Sequence, residues 1–171
     1  KYAKWAMVVN AFLPAIPFIH SGYELGETYP INTGLDFTQE QLKHLPSEKL
    51  PLFSEYGYNW LSKDQFASWV KDVLAIRAKY KQLIVDEQPQ SFEMLYENNE
   101  HVLAFARVSD ELKKRIAVVT NTNYTSIAHA TIKLDTSKKQ LHDLLSKKKF
   151  GVKDGHLHVA LSAGECLVFE Y

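Results

Sequence analysis

His20, Tyr23, Glu24 and Glu27 fall within eight residues of one another, in the segment Pro17-Phe18-Ile19-His20-Ser21-Gly22-Tyr23-Glu24-Leu25-Gly26-Glu27, and Asp36 follows a short way on. An imidazole, a phenol and carboxylates so grouped can hydrogen-bond a polar ligand or move its protons. His20 can donate to a ligand hydroxyl, or it can be spent on a hydrogen bond within the rim of its own fold. Tyr23, with Phe53, Tyr56, Tyr58 and Trp60 further along, offers flat apolar faces for stacking, although such clusters also serve simply to pack a loop. His156 and His158 share one face of a strand. No third metal ligand accompanies them, so a solvated pair is the plainer reading.

These residues need elements to hold them. Tyr2, Trp5, Ala6, Val9, Phe12 and Leu13 recur at helical spacing and Pro14 ends the pattern, which predicts a helix over residues 1–12. The apolar run 15–19 reads as a parallel strand buried on both faces, against which Pro17 counts because it lacks a ladder donor. A strand that ends in a glycine-punctuated polar loop is how a (β/α)8 barrel delivers side chains to its active face. Residues 20–61 carry no sustained period and read as a long functional loop. Ser62 with Gln65 forms a capping box ahead of a helix over residues 63–84, whose Trp69 and Leu74 are expected to be buried. The Pro89 region, residues 86–90, marks a boundary.

Beyond it the period becomes that of strands, over residues 92–97, 102–108, 116–121, 127–134, 141–145, 156–161 and 166–171. Turn signals such as Asp154-Gly155 and Ala163-Gly164 separate them, and regularly spaced strands of this kind indicate an antiparallel sandwich. The expected fold is therefore α+β. Residues 1–87 hold the last strand and helices of a (β/α)8 barrel, and residues 88–171 hold an antiparallel β-sandwich.

The charge balance narrows the partners. Twenty Lys and Arg face twenty Asp and Glu. Without a net field to draw phosphates or an anionic bilayer, neither nucleic acid nor membrane is expected, and a neutral partner fits better. The basic runs Lys138-Lys139 and Lys147-Lys148-Lys149 read as solvated turns. The single Cys166 sits in an apolar run as a buried thiol, and with no visible signal peptide it is compatible with the cytoplasm. The chain opens in the middle of an amphipathic pattern, as expected of a piece cut from a longer protein.

The run AIPFIHSGYELGE resembles the last barrel strand of the α-amylase family, with its G-x-P-x-hydrophobic-Tyr-x-G-x-E pattern. Pro17, Gly22 and Glu24 match; Ala15 stands where Gly is usual and His20 where Tyr is usual. PINTGLDF, residues 30–37, is similar to the continuation in some α-amylases and maltosyltransferases, and an arginine-bearing helix (Arg77) before an antiparallel domain follows in the same order. The resemblance implies a glycosidase or transglycosidase acting on α-glucans or maltooligosaccharides. Its mechanism would be a retaining one, with the catalytic carboxylates on upstream strands and none here. Retention needs two carboxyl groups about 5 Å apart and inversion about 6.5 to 9.5 Å. Glu24, Glu27 and Asp36 read instead as loop organisers.

On that resemblance His20, Tyr23, Glu24 and Asp36 are the expected substrate-binding residues. No cofactor or metal is expected in this stretch, while calcium would belong to the parent protein. Two other readings stay open: a self-contained glucan-binding sandwich, and an amylase-like scaffold without catalysis. A severed barrel end also leaves apolar surface. Residues 1–30 are thus expected to bury it by self-association or by docking on the helix of residues 63–84.

Overall fold

Short strands separated by turns fill the second half of the chain and build two antiparallel sheets. The computed structural model describes residues 1–20, 22–26, 38–44, 65–95 and 99–171. The first sheet contains β1 (Phe92–Met94), β2 (Val102–Ser109), β3 (Lys114–Asn121) and β8 (Cys166–Glu170), in the order β1-β2-β3-β8. The second contains β4 (Ala128–Lys133), β5 (Gln140–His142), β6 (Lys149–Lys153) and β7 (His156–Leu161), in the order β4-β7-β6-β5. The sandwich read from the sequence is thus present, with one strand more. That strand, β6, begins at Lys149 inside a basic run taken for a turn. Its alternation is visible only once Phe150 and Val152 are seen to face inward while Lys149, Gly151 and Lys153 face out.

Turn chemistry sets the registers. Asp154 and Gly155 both have positive φ, 51° and 74°, the combination a two-residue hairpin needs to match strand twist, and they join Lys153 to its partner His156. Ala106, Ala117, Val119 and Phe169 of the first sheet meet Ile132, Leu157 and Leu161 of the second. Two buried polar side chains stitch the sheets together. Asn121 Nδ2 donates to the carbonyls of Ser126 (2.8 Å) and Leu161 (3.1 Å). Asp143 accepts from the backbone N–H of Val168 (2.8 Å) and of Ser146 (2.6 Å). Each keeps buried groups paired that would otherwise cost about 1 to 3 kcal/mol apiece.

The chain divides into two compact units, Lys1–Pro17 with Val70–Tyr171, and Phe18–Trp69. In the first, the opposite face of the first sheet is also covered. Helix α1 (Tyr2–Phe12) lies against β3 and β8. It buries Met7, Val8, Ala11 and Phe12, a stripe rotated from the expected one, and leaves Tyr2 exposed. The anticipated dock on the helix of residues 63–84 is corrected accordingly: the principal surface α1 meets is the sheet. Trp5 Nε1 donates to Thr120 Oγ1 of β3 at 3.1 Å, and the rings of Tyr2 and Trp5 both meet Tyr124 edge-on.

After the short α2 (Gln39–His44), the helix expected over residues 63–84 comprises α3 (Gln65–Lys79) and, after a break at Tyr80, α4 (Lys81–Ile84). Val70, Val73, Tyr80, Leu83 and Ile84 are buried, whereas Trp69 and Leu74 are only half-buried, contrary to expectation. Ser62 lies outside the described residues. No described helix is long and apolar enough to cross a membrane.

The expected strand over residues 15–19 is not formed. The segment is irregular, and Ile16 (94% exposed) and Phe18 (91%) face solvent. A parallel strand exists only through hydrogen bonds to neighbours, none of which is present among the described residues, and Pro14 and Pro17 remove two donors. In place of a ladder, the Arg77 guanidinium donates to the carbonyls of Ala11, Leu13 (3.4 Å) and Ala15 (2.6 Å), closing the C-terminal end of α1 with a cation.

Candidate functional site

The segment that carries the expected ligand-binding residues is shaped by two glycines. Gly22 (φ 90°) and Gly26 (φ 68°) adopt left-handed backbone on either side of a single 3-10 turn, Tyr23–Leu25. Only glycine enters that region without cost, so the left-handed backbone at both ends of the turn calls for it. The His20 carbonyl accepts from the Tyr23 N–H at 3.1 Å, and the Tyr23 carbonyl accepts from the Gly26 N–H at 2.9 Å. His20 is exposed, while Tyr23 and Glu24 are half-buried on the turn.

The turn brings aromatic rings together. Tyr23 lies 5.6 Å from Phe66, tilted by 54°, and Phe66 stacks on Trp69 at 5.7 Å. A Cβ added at Gly26 would touch the Phe66 ring at 3.7 Å, so the turn rests on that ring. Phe66 and Trp69 appear in the sequence only as apolar positions of a helix. Their part in this cluster has no sequence signal, because the pairing with Tyr23 joins residues far apart in the chain.

Asp36 and Glu27 lie outside the described residues, as do Phe53, Tyr56, Tyr58 and Trp60. Glu24 is the one carboxylate among the described residues of the segment 17–37, so the described part offers hydrogen bonding and stacking but no carboxylate pair. Among the described residues no cluster of three or more His, Cys, Asp or Glu could hold a metal ion. His156 and His158 do share a strand face. Their Nδ1 atoms lie 2.9 Å from the Asp154 carbonyl and 3.0 Å from Thr131 Oγ1 respectively.

Residues 92–167, from the first residue of β1 into β8, match the family model described as "Maltogenic Amylase, C-terminal domain". This stretch thus resembles an amylase C-terminal domain. The whole chain is similar in fold to α-amylases of known structure. Against the Anoxybacillus α-amylase the TM-score is 0.68 at 18% identity, covering 98% of this chain and 31% of that one. Against the Geobacillus thermoleovorans α-amylase, solved with acarbose, it is 0.65 at 15% identity, covering 98% and 32%. Against AmyP, solved with maltotriose, it is 0.66 at 16% identity, covering 98% and 34%. At such identities the likeness establishes the fold. The chain spans about a third of the length of these structures. No curated protein matches it. In family and in fold the chain resembles the C-terminal part of α-amylase family enzymes.

Several ionisable groups in and beside this stretch are shifted by burial. Burial pushes the Cys166 thiol up to about 12, helped by the nearby carboxylates of Glu165 and Asp143. Burial likewise raises the Tyr171 phenol to about 12, with Glu93 adding to it. Arg107 of β2 is fully buried and donates from Nη2 to the Asp86 carbonyl and, at 3.1 Å, to Ser91 Oγ, tying the turn before β1 to the sheet. Burial lowers its guanidinium below the ordinary value, partly offset by Asp86.

Proposed function

We propose that this chain is the C-terminal portion of a glycosidase or transglycosidase acting on α-glucans. In this reading residues 1–87 are the end of its (β/α)8 barrel and residues 88–171 are the sandwich that buttresses it. The observation that carries the reading is the family match over residues 92–167, joined to a fold likeness to α-amylases that extends over 98% of the chain. That two of those structures hold acarbose and maltotriose supports an oligosaccharide ligand.

In the parent enzyme the run 15–19 becomes a strand once barrel neighbours supply its hydrogen-bond partners, and the turn after it stands at the active face. His20, Tyr23, Glu24 and Asp36 then contact substrate by hydrogen bonding and stacking. The nucleophile and acid come from upstream strands, and any calcium belongs to the parent as a whole. Tyr23, supported by Phe66 and Trp69, is the side chain best placed to offer a sugar a ring face.

The test compares the 171-residue chain with the full-length parent on soluble starch and maltooligosaccharides, reading reducing-sugar release. The chain alone releases none above background, and Glu24→Gln in the parent lowers kcat/KM without abolishing turnover. Cleavage by the isolated chain that disappears with Glu24→Gln would overturn the assignment.

A further inference from the structure

The chain is neutral as a whole, but its charge is not evenly spread. Residues 126–160 carry seven lysines against three aspartates, and the rest carries thirteen basic against seventeen acidic residues, leaving four net positive charges on the first and four negative on the second. The second sheet turns this excess into a surface. Its inward positions are apolar, so alternation sends the charged residues to the outer face. There the registers align Lys133 of β4, His156 of β7 and Lys153 of β6 in one row across three strands. Lys149 stands opposite His142, and Thr131 opposite His158.

No acidic residue lies on the outer positions of these four strands. Of the three aspartates, Asp143 is buried and committed to backbone N–H groups, and Asp135 pairs with Arg115 at 3.0 Å. Only Asp154, in the β6–β7 turn, is left at the margin. The face is also open. A shallow depression of about 390 Å3 lies over His129, Thr131, His158 and Ala160, and a Cβ added at Gly151 would meet no atom of the described residues within 4 Å.

We infer that the outer face of the second sheet binds an acidic polysaccharide. Neighbouring strands put donors about 4.8 Å apart and alternate residues about 6.8 Å apart, a grid suited to a polymer with spaced anionic groups rather than to one compact anion. Hydroxyl, amide and imidazole groups at Thr131, Gln140, His142 and His158 suit sugar hydroxyls between the charges. No Phe, Tyr or Trp occupies the outer positions of these strands, so the face lacks the large stacking rings that single-stranded nucleic acid uses. The inference stands apart from the reading of the catalytic site, since it concerns another surface and is tested without turnover.

The experiment measures retention of the 171-residue chain by amylopectin that carries phosphate monoesters, and by the same polymer after phosphatase treatment. Retention by the phosphorylated form is expected, falling steeply as salt rises to about 0.3 M. The triple variant Lys133→Gln, Lys149→Gln, Lys153→Gln should lose about tenfold in affinity. A control with Lys4→Gln, Lys71→Gln and Lys81→Gln should bind as the parent does. Equal retention by both polymers, or undiminished binding by the first triple variant, overturns the inference. Equally tight binding of a single-stranded oligonucleotide overturns the saccharide assignment.

Discussion

Cys166 shows how a single residue reports on its surroundings. Its Sγ lies 3.9 Å from the Gly164 carbonyl, and burial raises its pKa to about 12. The thiolate is the reactive species, so at pH 8 the folded chain should react with a disulfide reagent far more slowly than the unfolded chain, as absorbance stopped-flow would read. The sign of the pH dependence follows from the raised value. An unfolded thiol ionises from about pH 8.5 while the folded one holds its proton, so the unfolded state binds fewer protons and stability falls as pH rises from about 8.5 towards 12. Tyr171 adds to the fall above about pH 10 for the same reason. Cys166→Ala should flatten the early part of that slope in urea titrations; an unchanged slope would place the thiol in water.

At the scale of elements, the segment after α1 leaves large apolar side chains in water. Ile16 and Phe18 are exposed although the run 15–19 is apolar, since no strand among the described residues pairs with it. Large apolar side chains left in water favour association. The isolated chain should therefore self-associate as its concentration rises, and Ile16→Asp with Phe18→Asp should shift light scattering back to the monomer mass. A parent chain that is monomeric at all concentrations would show that these side chains find no partner. Helix α1 should be unaffected by the pair, since its buried stripe of Met7, Val8, Ala11 and Phe12 is satisfied within the chain.

At the scale of the molecule, the first sheet is a middle layer. Ala104 and Ala117 face the second sheet, whereas Phe105, Ile116, Val118 and Val168 lie in register on the opposite face, towards α1 and α4. Residues 88–171 expressed alone should keep both sheets but expose that face, giving binding of a hydrophobic dye and a lower unfolding midpoint than the full chain. Phe12→Ala, a smaller loss at the same contact, should cost about 3 to 5 kcal/mol. A truncated domain as stable as the full chain would mean that the helices contribute nothing to the sheet. The sequence by itself determined what depends on local period and turn chemistry: α1, a helix within residues 63–84, most strands of the sandwich, the turn at Asp154-Gly155 and the family motif around Gly22 and Glu24. Tertiary structure alone decided what depends on partners distant in sequence. It turned α1 onto the sheet, left residues 15–19 without a ladder, and set Phe66 under Tyr23. It also gathered Lys133, His156 and Lys153 into one row, which a neutral total charge conceals because charge counts sum over the chain while a surface is made by register.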